Sequence, residues 1–245
     1  MRAVTRENAM GAYHRIRQGI VEGRYRPGER MVETRLADDL QLSRTPIREA
    51  IRMLQSEGLV HSLPNRGATV RALTAGDIGD LYEVRGRLEA LSGELAARRA
   101  TADDIERLGE ADAAFAAAVR GMDLNDIEAI RTVFRLNNAF HAVMLEAAHN
   151  GRLTQALTRT VDHPLVFQAF RHYNLPAMRR SAQFHHLIVE AVRGREPGRA
   201  ANLVLEHVLQ GRDQLLAVVG DSPSVDALFA APAAAGGGGT AHPIT

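Results

Sequence analysis

Beyond residue 75 the chain settles into long Ala-, Leu-, Arg- and Glu-rich stretches whose apolar residues recur at spacings of three and four, and this periodicity constrains the fold most. Breaks near Ala100–Thr101, Gly121–Met122, Asn150–Gly151, Asn174–Pro176 and Glu196–Pro197 divide it into six expected helices: 76–99, 103–120, 124–148, 151–172, 176–194 and 197–218. Thr101 followed by Asp103 and Asp104, and Asp123 with Asp126, suit helix starts, where side-chain oxygens and negative charge meet unpaired N–H groups. Pro197 sits where a first helical turn tolerates it. The expected fold class is therefore mainly α, with an all-α antiparallel bundle over 74–219. The Gly-, Pro- and Ala-rich tail, 220–245, is expected to be disordered.

The first 73 residues read differently, as short segments punctuated by "GRYRPGER" and "LPNRGATV". Leu36, Ala37 and Leu40 make one apolar face of a short helix, "QLSR" is a turn, and Ser43 can cap a second helix. In that second helix Ile47, Ala50, Ile51 and Leu54 form the buried stripe, a pattern that fits a helix-turn-helix. Arg44, Thr45, Arg48 and Arg52 fall off the stripe, the first three near the end that enters the major groove in a recognition helix. "LVHSL" and "ATVRAL" alternate like two short strands around "PNRG", a hairpin with Arg66 and Gly67 at its tip. This predicts a small β wing and a winged helix-turn-helix over 1–73.

Charge agrees with this division. Residues 1–73 hold thirteen arginines against eight acidic residues, while the rest of the chain holds seventeen basic against twenty-one acidic. A basic front suits nucleic acid, although an excess of this size also fits a solvated surface. The absence of cysteine excludes disulfides and thiolate chemistry, so any metal must be held by imidazole, carboxylate, amide or water. No run of eighteen apolar residues and no signal-like start occur, so a cytoplasmic protein without a membrane partner is expected.

Among the ten histidines the question is which converge. Asn137 and His141 are four apart and share a helix face. His185 opens "HHLIVEAV", whose Leu187, Ile188, Ala191 and Val192 form a stripe, and His207 lies four residues after Leu203 at the edge of another. Three helices thus each offer imidazole toward a bundle interior, the first with an amide oxygen beside it. A hydrogen-bonded core histidine is the competing interpretation of each one taken singly.

"LADDLQLSRTPIREAIRMLQSEGLV" followed by "RGATV" closely resembles the winged-helix signature of the GntR family of bacterial transcription regulators over about sixty residues. By that resemblance Arg44, Thr45 and Arg48 match DNA-contacting positions and Gly67 matches the wing-tip glycine. Thr34 stands at a first-helix position where a family member carries an arginine. "LYEVRGRLEALSGELAARRAT", "NNAFHAVMLEAAHNGRL" and "HHLIVEAVRGREPGRAANLVLEH" look like the effector-binding FCD domain of the FadR subfamily, in its six-helix, VanR-like version. The resemblance implies a divalent metal (Zn, Ni or Mn) held at Asn137, His141, His185 and His207, with Asn137 where the family usually has Asp. An amide brings no negative charge, so metal binding would be weakened. If the register is off by one, His186 replaces its neighbour. Arg85 matches a family position suited to an effector carboxylate, and an internal salt bridge is its other reading.

Together these imply a ligand-responsive repressor. It would bind palindromic operator DNA as a homodimer, with a small organic acid as effector. Two rivals remain: a regulator with a metal-free pocket, and a metal-dependent hydrolase or isomerase acting on a small hydroxy or sugar acid. Against the enzyme, no carboxylate is placed as a general base; Glu206 adjoins His207 in sequence, but adjacent helical residues diverge by about 100°.

Overall fold

The structure, a computed structural model, describes residues 2–21, 23–63, 67–71, 74–160 and 170–220. Its first element is a helix the sequence reading missed, α1 (Arg2–Val21). Ala9, Ala12, Tyr13, Ile16 and Ile20 recur at helical spacing and are all buried. Gly19, which reads as a break, is a packing site: a Cβ there would come within 2.5 Å of the Tyr25 ring.

The helix-turn-helix follows as α2 (Glu33–Leu40) and α3 (Arg44–Ser56), with Leu36, Ala37 and Leu40 of α2 packed on Ile47, Ala50, Ile51 and Leu54 of α3. Gln41 takes the left-handed conformation (φ 55°) and closes α2 through its N–H to Ala37 and Asp38. Ser43 stands at the N-cap of α3, but its side chain makes no capping bond, contrary to the sequence expectation. The wing hairpin is β2 (Val60–Leu63) against β3 (Gly67–Val70), in antiparallel register Val60 to Val70 and Leu63 to Gly67. A third strand, β1 (Arg30–Met31), pairs with the other edge of β3 and gives the order β1-β3-β2. Arg66 at the wing tip lies outside the described residues.

The bundle consists of α4 (Ala75–Arg99), α5 (Ala102–Arg120), α6 (Ile127–Ala147), α7 (Gly151–Thr160), α8 (Leu175–Arg193) and α9 (Pro197–Val219). Residues 170–172 are also helical; the middle of the expected 151–172 helix and the tail beyond 220 lie outside the described residues. Thr101 and Asp104 form a reciprocal capping box that starts α5. Helix α6 begins three residues later than expected, because Asp126 caps it while Asp123 is turned to the N–H of Asn125. The bundle core includes Phe115, Phe140, Met144, Met178 and Ile188, and shares no residue with the core of the winged unit.

The most extensive helix pair is α4 with α9. Glycines on α4 allow the approach: a Cβ on Gly93 would lie 2.7 Å from Val204 Cγ2 and 3.2 Å from the Ala200 carbonyl oxygen, and one on Gly86 would lie 2.9 Å from Leu205. Gly79, on the same helix, has nothing within 4 Å of such a Cβ. Alanine gains up to about 1 kcal/mol of helix propensity over glycine at either position. At Gly93 overpacking against backbone, worth about 1–3 kcal/mol, outweighs that gain. Gly93→Ala is therefore expected to lower the melting temperature and Gly79→Ala to raise it by roughly 1–3 °C in thermal denaturation.

Candidate metal site and DNA-binding face

Helix α6 carries Asn137 and His141 one turn apart on its inward face, α8 contributes His185 and α9 contributes His207. Their side chains meet. His207 Nε2 stands 3.2 Å from His141 Nε2 and 3.2 Å from His185 Nε2, and the three imidazoles offer nitrogens that all lie within 4.8 Å of one another. His186, the alternative register, points elsewhere, with its Nδ1 3.3 Å from Asp112.

A carboxylate missed by the sequence reading lies behind the cluster. Glu89 of α4 is 4% exposed; its Oε1 accepts from Arg85 Nε at 2.6 Å, and its Oε2 lies 2.6 Å from His141 Nδ1. That second contact has ion-pair distance without hydrogen-bond alignment. The available signal was spacing: Glu89 follows Arg85 by four residues and so shares its helix face. Arg85 gives its Nε to this internal pair and also lines the cavity beside His141, His207 and Asn137. Its guanidinium carbon lies 5.1 Å from the centre of the Tyr82 ring.

The site is dry. His185 is fully buried and stacks on Phe140, with ring centres 3.8 Å apart and planes 8° apart. Burial and the neighbouring imidazoles push His185 well below its ordinary pKa, and burial with His141 beside it pushes His207 down to about 3. Burial alone would raise Glu89, but the Arg85 guanidinium and then His141 outweigh it and hold the carboxyl well below the usual range. A carboxylate so stabilised is a poor general base. Glu206, the other nearby carboxylate in sequence, is exposed.

The donor types suit a divalent cation. Two nitrogens each about 2.1 Å from one ion stand roughly 3.0–3.4 Å apart at octahedral or tetrahedral angles, which brackets the two 3.2 Å separations. Such nitrogens can be at most about 4.2 Å apart, so the cluster, whose nitrogens lie within 4.8 Å of one another, would draw in around an ion held by all three. Asn137 Oδ1 is buried without a hydrogen-bond partner, as are Nδ1 of His185 and of His207 and the Ser181 hydroxyl. Unpaired buried polar atoms around a small cavity call for an occupant. The cavity among Arg85, Asn137, His141, Ser181 and His207 measures about 20 Å³, room for one water or ion but not for an organic acid without some opening.

On the winged unit Thr34, Arg44, Thr45 and Arg48 are exposed, and Gly67 at the start of β3 is exposed with φ 77°, a conformation glycine adopts freely. Arg30 of β1 runs alongside, its Nε 3.7 Å from where a Cβ on Gly67 would sit. Glu33 accepts hydrogen bonds from both Arg44 and Arg48. No described helix is long and apolar enough to cross a membrane.

A winged helix bearing arginines on its exposed face, joined to a helical bundle, defines the class of a DNA-binding transcriptional regulator. Comparison with known proteins agrees. Residues 8–70 match the family model described as bacterial regulatory proteins, gntR family, and residues 80–210 match the FCD domain. The chain is 31% identical to the uncharacterized HTH-type transcriptional regulator YdhC of Bacillus subtilis (strain 168), over 80% of this chain and 85% of that one. It is 30% identical to the Nta operon transcriptional regulator of Aminobacter aminovorans, over 80% and 88%. The fold is shared with E. coli McbR/YncC, at a TM-score of 0.67 and 20% identity over 83% of this chain and 94% of that one. The chain belongs to the GntR family and carries the FCD domain of its FadR subfamily; it is a regulator and not an enzyme.

The depressed histidines set a pH dependence. Their folded pKa values lie below the unfolded value of about 6.5, so at acidic pH the unfolded chain binds protons that the folded chain refuses. Their contribution is intact above about pH 6.5 and is lost progressively as pH falls toward His207's folded value of about 3. Metal-stripped protein in chelator is expected to melt lower at pH 5 than at pH 7.5. An unchanged melting temperature across that window would count against buried neutral imidazoles.

Proposed function

We propose that the protein is a ligand-responsive repressor that binds a twofold operator as a homodimer and is released by a small carboxylate. The effector would be held in the helical domain together with a divalent metal at Asn137, His141, His185 and His207. The observation that carries this reading is the meeting of three buried or partly buried imidazoles, two of which, His141 and His207, line a small cavity that also has an orphaned amide oxygen and a buried arginine on its wall. When bound, the metal supplies a Lewis-acidic anchor for an anionic ligand. Glu89 Oε2 lies 2.6 Å from His141 Nδ1, so its charge faces that edge of the ring while Nε2 lies on the side of His207. Arg85 stands ready to meet a carboxylate with guanidinium N–H groups other than Nε.

On the DNA side Arg44, Thr45 and Arg48 are assigned to the major groove, Thr34 to the adjoining backbone, and Arg66 with Gly67 to the wing contact. Thr34 is short and uncharged, so one contact made by a longer side chain is replaced or absent there. Regulation requires the effector to bind the DNA-competent and incompetent arrangements with different affinity. Such a protein acts where the chromosome is, in the bacterial cytoplasm.

Metal analysis of the purified full chain is expected to find about one Zn²⁺, Ni²⁺ or Mn²⁺ per chain, lost in His207→Ala. Asn137→Asp adds an anionic ligand and is expected to tighten metal binding by about ten-fold or more in calorimetric titration. No metal in either protein, with carboxylates still raising the melting temperature, would favour a metal-free pocket instead. In gel-shift titrations Arg44→Ala and Arg48→Ala should each weaken operator binding by about ten-fold or more, and unchanged affinity in both would remove α3 from the interface.

A further inference from the structure

Glu33 opens α2, and its carboxylate faces α3. Arg48 donates to it twice, Nε to Oε1 at 3.0 Å and Nη2 to Oε2 at 2.9 Å, while Arg44 Nη2 donates more weakly to Oε2 at 3.4 Å. The Arg48 and Arg44 side chains are 49% and 61% exposed and that of Glu33 is 28% exposed. Glu33's carboxyl is held below its ordinary range, first by the Arg48 hydrogen bonds, so it is ionised at neutral pH.

A guanidinium has two edges on which it makes paired hydrogen bonds, one formed by Nε with Nη2 and the other by Nη1 with Nη2. Glu33 occupies the first edge of Arg48. Because the group is planar and rigid, the second edge then points away from the carboxylate, and among the described residues no hydrogen bond engages Nη1. Guanine offers two acceptors in the major groove, O6 and N7, that match one such edge. An arginine fixed from behind reaches that pair without first losing its side-chain freedom. Without the carboxylate the same arginine can swing to a phosphate, which carries no sequence information.

The carboxylate acts in a second way. It places a negative charge beside a surface that meets phosphates, which lowers affinity for any duplex. The loss is offset only where Arg48 makes its full pair of bonds, so the repulsive element contributes discrimination.

We propose that Glu33 is a specificity-determining positioning residue: it holds Arg48 side-on so that the remaining edge of the guanidinium reads a guanine in each operator half-site, and its charge penalises DNA on which that edge finds no partner. This rests on the assignment of α3 to the major groove made above.

The test is selection by the full chain from a pool of duplexes with a randomised core, for the unaltered protein, Arg48→Ala and Glu33→Gln. It is followed by titration of each protein with the selected duplex and with the unselected pool at one salt concentration. The unaltered protein should enrich a guanine at one position per half-site, and both variants should lose the preference at that same position. Glu33→Gln should bind the unselected pool more tightly and show a preference for the selected duplex that is roughly 3- to 10-fold smaller. Its melting temperature should barely move, since an exposed ion pair contributes little to stability. If Arg48→Ala loses the guanine and Glu33→Gln keeps it, the inference fails while α3 stays in the groove. If Arg48→Ala leaves the motif intact, the assignment of Arg48 falls and the inference falls with it. If Glu33→Gln weakens both duplexes equally and melts much lower, the residue is structural and the inference is overturned.

Discussion

Glu89 is a carboxylate 4% exposed in the middle of a helical bundle, and an ion so placed must be neutralised where it stands, because solvent cannot do it. Arg85, one turn earlier on the same helix, does most of this, and His141 from α6 stands at the other oxygen. The arrangement depends on α4 lying close to α9, which Gly86 and Gly93 permit, since that approach brings His207 to the same cavity. Removing Glu89 would leave the Arg85 guanidinium buried without its partner and His141 without the negative charge beside its Nδ1. The structural pair and the proposed ligand site thus share the same few atoms, with the orphaned Asn137 oxygen and imidazole nitrogens beside them.

The winged unit uses a similar arrangement under opposite conditions. Glu33 also sits behind donors that face a ligand, yet it and its two arginines are partly or mostly exposed. Water already solvates these charges, so the pair adds little to folding, and what it supplies is direction. In the bundle, by contrast, desolvation makes the same kind of contact expensive to break and the imidazoles hard to protonate. One chemistry therefore serves as a rigid frame in the dry site and as an adjustable guide at the wet one.

What could be read in the sequence follows from which signals are local. The inward face of α6 was legible because Asn137 and His141 are four apart, and His185 and His207 because each sits on a strong apolar stripe. Register was left open by the sequence, since Leu187 of the expected stripe is itself exposed and Val189 is buried instead; the structure buries His185 and sets His186 against Asp112. Glu89 offered only its four-residue spacing from Arg85, and a glutamate paired in this way on one helix reads as solvated unless the partner across the bundle is known. Helix α1 carries Gly11 and Gly19, residues of low helix propensity, and the second is needed for the ring of Tyr25, six residues on, a close approach that spacing alone does not reveal. The start of α6 was misplaced because two aspartates compete for the cap, and only Asp126 reaches an N–H of the first turn.

Helix α4 touches both halves of the problem. Its first turn is closed by the capping box of Thr74 and Asp77, and Asp77 also accepts from Arg71, which follows β3 of the wing, at 2.9 Å. Twelve residues further on the same helix holds Glu89, a distance of roughly 18 Å along a rigid rod. An α-helix does not absorb a shift at one end by bending smoothly in the middle, and its inner face here is locked against α9 by glycines that leave no slack. An occupant that moves Arg85 or Glu89 by a fraction of an ångström must therefore either be resisted by the α4–α9 contact or carry the start of α4, and with it Arg71, along. Which of the two is cheaper depends on differential binding energy between the two arrangements, and under the proposed function that difference would arise at the small cavity, which would have to open to admit an acid.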